Sequence, residues 1–175
     1  FTSQQSVEKV KRLAQILRNY SPYRLELWNV PLLEIQKAVR DKCNERYRTI
    51  HYRRFMLRIA QEIASLRNAK ALVTGDALSQ VASQTLTNIG VVDDGIRMPI
   101  LRPLITAEKS LIIEKAKKLG TYETSLEPHD DTCILFASNR PTTQANLTVI
   151  KEEEERLGVY QLVFAALDRA VKTLI

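Results

Sequence analysis

Residues Ala71 to Leu86 read ALVTGDALSQVASQTL, and the folding of this stretch decides the architecture. A short apolar run, Ala71-Leu72-Val73, breaks at Thr74-Gly75-Asp76, and beyond it Leu78, Val81, Ala82 and Leu86 recur at helical spacing. The pattern predicts a buried strand, a glycine turn and a helix. In open α/β sheets ligands sit outside the carboxyl ends of strands, where a glycine admits close backbone approach and a helix amino end offers free N–H groups. Gln80 and Gln84 would then lie one helical turn apart, with two amides pointing the same way. The same spacing also describes an ordinary crossover in which Gly75 is only a turn residue.

Upstream, Thr2 to Gln5 has the form of a capping box, and Val7, Val10, Ala14 and Leu17 mark the inward stripe of a helix ending near Tyr20. Arg24 to Val30 reads as a strand, Pro31 opens a helix toward Lys42, and a longer helix runs from about Arg46 to Leu66. Downstream, TNIGVVDDGIRMP reads as a loop and Pro99 to Ile105 as a short strand. Thr106 is placed to cap a helix that buries Leu111, Ile112, Ala116 and Leu119 and ends at Gly120. Two further helices are expected over Gln144 to Leu157 and Val159 to Leu174, with Glu152 to Glu155 on a solvated face.

A chain of 175 residues, 45% of them hydrophobic, can bury one sizeable core, so residues 1–175 are expected to form a single domain. No apolar run approaches the roughly 20 residues needed to cross a bilayer, and the first residues lack a signal-peptide pattern. A soluble, cytoplasmic protein without a membrane partner is the expectation. Cys43 and Cys133 stand in neither a CxxC pair nor a zinc spacing, so neither a disulfide scaffold nor a metal site is expected.

The net charge is +6, but residues 1–72 hold 15 Lys+Arg against 6 Asp+Glu, and the remainder 11 against 14. The positive field therefore belongs to the first part of the chain. Its densest patch, Arg46, Arg48, Arg53, Arg54 and Arg58, is interleaved with Tyr47, His51, Tyr52 and Phe55, which suits contact with RNA phosphates as well as a solvated helix face.

Cys133 is the candidate nucleophile. A reactive thiolate needs an electropositive setting, which Asp130 and Asp131 oppose, so a small buried hydrophobe is an equal reading of the residue alone. His129 reads as a surface residue, His51 as part of the basic helix and Cys43 as structural.

The segment TGDALSQVASQTL resembles the signature T-G-[ED]-[SA]-L-x-Q-V-A-S-Q-T-L of the tRNA 4-thiouridine synthetases, also called tRNA sulfurtransferases or thiamine-biosynthesis sulfur-transfer proteins. Arg53 to Ala60 resembles their R-R-x-M-L-R-I-A, Leu101 to Lys109 their L-R-P-L-I-x-x-[DE]-K, and Pro128 to Phe136 their P-Y-E-D-C-C-T-V-F. The resemblance implies a Rossmann-like, PP-loop-type α/β domain with a parallel sheet, of the adenine nucleotide alpha hydrolase kind. It places ATP-binding positions on Arg53, Gly75 and Gln84, a functionally important lysine on Lys109 and the sulfur-transfer cysteine on Cys133. The family's first cysteine falls on Thr132, which leaves a single thiol.

The implied chemistry is ATP-dependent thiolation of tRNA to 4-thiouridine, with magnesium accompanying ATP and a cysteine desulfurase supplying persulfide, and with a further link to sulfur supply for the thiamine thiazole. The family's S-G-G-x-D-S phosphate loop and RNA-binding THUMP region have no counterpart in these residues. The expectation is thus a partial domain lacking its first strand-loop-helix-strand unit, which alone does not adenylate tRNA. Its sheet would then need re-pairing, self-association or a companion segment. The alternatives are a non-catalytic module that binds RNA or a partner through the Arg46 to Arg58 helix, and a PP-loop ATPase with another substrate.

Overall fold

The computed structural model describes residues 4–78, 80–128, 138 and 140–175. In chain order its elements are α1 (Gln4–Arg18), β1 (Glu26–Asn29), α2 (Leu33–Lys42), α3 (Arg48–Leu66), β2 (Leu72–Val73), α4 (Leu86–Asp93), β3 (Ile100–Leu101), α5 (Lys109–Lys118), α6 (Tyr122–Leu126), α7 (Leu147–Glu155), α8 (Val159–Asp168) and β4 (Val171–Leu174). Short 3-10 turns cover Glu45–Tyr47 and Ala82–Gln84. The described residues fall into two compact units, one within Phe1–Pro31, Ala107–Thr132 and Arg169–Ile175, the other within Leu32–Thr106 and Cys133–Asp168. No helix among the described residues is long and apolar enough to cross a membrane.

In the first unit β1 pairs antiparallel with β4, Glu26 opposite Leu174 and Asn29 opposite Val171. Leu25 and Ile175 extend the ladder, the Ile175 N–H donating to the Leu25 carbonyl at 2.8 Å. The last residues are therefore a strand where a helix is expected. Val171 and Thr173 are β-branched and favour the pleat, and Lys172 lies over the Trp28 ring, 5.8 Å from its centroid. The inward face of α1 also differs from the expected stripe: Ser6 and Lys9 are buried, whereas Val10 and Leu17 are exposed. Lys9 Nζ donates to the carbonyls of Ser125 and Glu127, each at 2.7 Å, and so satisfies the carboxyl end of α6. A cation at that end is favoured by the helix dipole as well. Helix α5 has Glu108 rather than Thr106 at its N-cap and leaves Leu111 exposed, but ends as expected, with Gly120 at φ +72°.

In the second unit α3 is the central element. It buries Ile50, His51, Tyr52, Arg54, Phe55, Ile59 and Ala64, and Ile50 joins Val91, Val92, Ala145 and Ile150 in one apolar cluster. Strands β2 and β3 run parallel, Leu72 opposite Ile100 and Val73 opposite Leu101. The Thr74 N–H donates to the Leu101 carbonyl at 3.0 Å, carrying the ladder to the edge of the glycine turn. Strands β1 and β2 lie in different two-stranded sheets and do not pair with each other. β1 instead takes β4 as its partner.

The helix expected directly after Gly75 is not there. Among the described residues, 77–78 and 80–85 contain one 3-10 turn and no α-helix, and α4 begins only at Leu86 and then runs through Thr87 to Asp93, in the stretch that reads as a loop. Thr85 explains the delay: its side chain accepts the Asn88 N–H at 3.2 Å and so caps α4 at this point. Asn88, fully buried, then donates to the carbonyls of Ala82 and Thr142 and accepts the Ala145 N–H. Eight residues of α-helix would advance about 12 Å. The chain instead brings the Gln84 amide back to 3.3 Å from Asp76.

Candidate functional site

Asp76, the residue after Gly75, is 5% exposed and gathers the groups around it. Its Oδ1 accepts Arg53 Nη2 at 2.5 Å and Gln84 Nε2 at 3.3 Å, and its Oδ2 accepts Thr74 Oγ1 at 2.8 Å and Arg102 Nε at 3.0 Å. Arg53 comes from α3, Thr74 from the end of β2, Gln84 from the 3-10 turn and Arg102 from the residue after β3. Arg53 Nη1 also reaches Ser83 Oγ at 3.4 Å, and Arg102 Nη2 pairs with Asp93 Oδ1 at 2.5 Å. Burial pushes the Asp76 carboxyl up, but the Thr74, Arg53 and Arg102 hydrogen bonds outweigh it and hold it below the usual range.

Gly75 stands beside this cluster. A Cβ placed on it meets nothing within 4 Å among the described residues, so neither their packing nor the backbone conformation requires glycine there. The free space and the two neighbouring guanidinium groups suit an anionic ligand brought close to the backbone.

The five arginines of the predicted basic patch are separated by the fold. Arg54 is 1% exposed. Its Nε and Nη2 hold Glu154 at 2.8 and 2.9 Å, and its Nη1 donates to the Val91 carbonyl. Arg58 grips the same carboxylate with Nη1 at 2.6 Å and Nη2 at 2.8 Å. Arg48 Nη2 donates to the Arg40 carbonyl at 3.3 Å, while Arg46 is exposed. The arginines therefore do not form one exposed surface, and Glu152 to Glu155 is not simply a solvated face. Burial raises the Glu154 carboxyl, yet Arg58 and Arg54 bring it down to about 2.

Glu153 faces the other way and binds His51, which is fully buried instead of lying on an exposed basic face: His51 Nε2 lies 2.7 Å from Glu153 Oε2. Burial pushes the His51 imidazole down, an effect that Glu153 partly offsets. Cys43 lies near this pair, its thiol pushed up to about 12 by burial first and by Glu153 next.

The fold thus brings Arg53, Gly75 and Gln84 to one place, around Asp76. Lys109 is the exposed first residue of α5, in the other unit. Cys133 lies outside the described residues, as do His129 and Thr132. Asp76 and Arg102 carry no separate signal in the sequence. Their positions inside T-G-D and L-R-P-L-I are visible there, but the separation of 26 residues hides their contact.

A family model described as Thiamine biosynthesis protein (ThiI) matches residues 1–159. A protein of Finegoldia magna named "Probable tRNA sulfurtransferase" is 45% identical over 168 residues, covering 96% of this chain and 43% of that protein. One of the same name from Thermus thermophilus is 44% identical over 169 residues, with 96% and 41% covered. The crystal structure of a 4-thiouridine synthetase–RNA complex with bound ATP superposes with a TM-score of 0.95 at 37% identity, over 100% of this chain and 46% of that one. The chain therefore spans less than half the length of the relatives it matches.

Proposed function

Because the chain belongs to the thiamine biosynthesis protein (ThiI) family, we propose that it forms part of a tRNA sulfurtransferase and supplies one side of its ATP site. The observation that carries this reading is the convergence of Arg53 and Gln84 on Asp76, beside the open space at Gly75. Arg53 and Arg102 present positive charge to the nucleotide phosphates, and Asp76 fixes both guanidinium groups before the nucleotide arrives. Gly75 and Gln84 seat the nucleotide against the end of β2.

ATP activates the target uridine of tRNA when the uridine O4 attacks the α-phosphate and pyrophosphate departs, leaving O4 adenylated. A sulfur atom delivered as persulfide by a cysteine desulfurase then attacks C4, and AMP departs with that oxygen. That attack leaves a disulfide between the C4 sulfur and the cysteine that carried the persulfide; either Cys133 is the carrier and an external thiol attacks its sulfur to free the thiouridine, or Cys133 is the attacking thiol, and Lys109 stabilises charge developing on phosphate. Magnesium accompanies ATP, and the residues above leave its binding to other groups of the complete enzyme. Arg46 is the member of the basic patch best exposed for contact with RNA phosphates, with Arg48 next to it. The same sulfur relay would serve thiamine thiazole synthesis.

Disruption of the gene tests the reading. Nucleoside analysis of bulk tRNA is expected to show loss of 4-thiouridine, restored by the wild-type gene but not by one encoding Cys133→Ser. Unchanged 4-thiouridine in the disrupted strain would overturn it.

A further inference from the structure

Three side chains of metal-ligand type meet where no sequence spacing announces them. Cys43 is the C-cap of α2, His51 lies in the first turn of α3, and Glu153 lies on α7, 102 positions beyond His51. The Cys43 sulfur, a ring nitrogen of His51 and a carboxylate oxygen of Glu153 lie within 4.8 Å of one another.

Two features of this cluster are unexplained by the protein's own contacts. His51 is fully buried, and while Nε2 faces Glu153, its Nδ1 has no hydrogen-bond partner among the described residues. Such a nitrogen in a native interior calls for an unseen water or ion. Glu153, also buried, takes the Asn44 N–H at 2.9 Å and the His51 imidazole, and no Lys or Arg pairs with it among the described residues. The neighbouring arginines Arg54 and Arg58 are committed to Glu154 instead. A buried carboxylate is ordinarily matched by a cation or a metal ion.

We propose that Cys43, His51 and Glu153 form a mononuclear site for a divalent metal ion, with zinc the ion whose preferences best match a thiolate, an imidazole and a carboxylate. Bonds of about 2.0 to 2.3 Å to zinc require donor atoms some 3 to 4 Å apart, so the three groups need to rearrange by about 1 Å. Cys43, at a helix end and half-buried, is the member best placed to move and to let the ion in. Three protein donors leave a fourth position for water. The metal would pin the carboxyl end of α2 to α3 and α7, a structural role separate from the nucleotide site.

The purified chain, stripped with chelator, is titrated with zinc and separately with cobalt(II). The expected result is one zinc per chain, a rise in melting temperature on zinc addition, and thiolate-to-cobalt charge-transfer absorption. Cys43→Ser is expected to weaken zinc binding by at least about tenfold and to remove that absorption, while Cys133→Ser keeps both. X-ray absorption on the zinc-loaded wild type is expected to show one sulfur neighbour among nitrogen and oxygen, a measurement independent of how any variant folds. Zinc bound no more tightly by wild type than by Cys43→Ser, absorption lost only with Cys133→Ser, or a zinc shell without sulfur would each overturn the proposal.

Discussion

Arg53 Nη2 lies 2.5 Å from Asp76 Oδ1, joining α3 to the turn that follows β2, and Arg102 shares the second oxygen of the same carboxylate at 3.0 Å. All three side chains are largely buried, at 18%, 7% and 12% exposure. Replacing Asp76 by Asn leaves two guanidinium groups facing each other without their shared counter-charge. Loss of one member of a buried charge cluster typically costs about 3 kcal/mol or more. Asp76→Asn is expected to lower the unfolding free energy by about that amount, read from urea denaturation at pH 7. A loss below about 1 kcal/mol would show that the arginines find other partners.

The Glu154 carboxyl, clamped by Arg54 and Arg58, is lowered from 4.5 to about 2. A carboxyl depressed in the folded state binds its proton more readily in the unfolded state, so it contributes stability above the unfolded pKa. That contribution is full above about pH 4.5 and is lost as pH falls toward 2. Asp76, also depressed, acts in the same direction. Thermal melts across this range should show wild-type stability declining steeply with acid. Glu154→Gln should be less stable than wild type at pH 7 and lose less between pH 4.5 and 2. Parallel pH profiles would exclude Glu154 as an acid-sensitive group.

Local signals in the sequence carried the helices α1, α2, α3 and α5 and the strand β2, because periodicity, proline and the glycine C-cap act within a few residues. They failed where distant partners decide. The helix expected after Gly75 is displaced to α4 because Asp76 requires donors from four segments and Thr85 supplies a cap only at that point. Likewise Arg54 and Arg58 read as part of an RNA-binding or solvated basic patch and Glu152 to Glu155 as a solvated face, yet Arg54 and Arg58 meet Glu154 across about 100 positions. The final strand β4 is fixed by pairing with β1, a contact no local window contains. Of the candidate site, motif resemblance reached Arg53, Gly75 and Gln84, while Asp76 and Arg102 emerged only from the fold.

A methyl group at Gly75 meets no atom within 4 Å among the described residues, and this glycine is not among those at positive φ. Gly75→Ala is therefore expected to leave the melting temperature within about 2 °C of wild type. If a nucleotide approaches the backbone there, the same methyl group obstructs it, and affinity for ATP in the complete enzyme should fall about tenfold, equivalent to about 1.4 kcal/mol. Equilibrium binding of a fluorescent ATP analogue, with a melt on the same sample, separates the two effects. Unaltered affinity would place the nucleotide elsewhere.

Arg46 and Arg58 are 12 positions apart in one basic segment, but they meet different environments. Arg46 is exposed, whereas both terminal nitrogens of Arg58 are held by Glu154. Only a guanidinium that reaches a phosphate releases a counterion on binding, so only its removal changes the salt dependence of RNA affinity. Arg46→Ala is expected to weaken tRNA binding by the complete enzyme and to reduce the slope of log affinity against log salt by about 0.7 to 0.9. Arg58→Ala should lower stability by about 2 kcal/mol and leave that slope unchanged, since its charge already faces a carboxylate within the chain. Filter-binding titrations at several salt concentrations, paired with denaturation curves, decide the assignment. A slope reduced by Arg58→Ala and not by Arg46→Ala would mean that RNA opens the Glu154 clamp on binding.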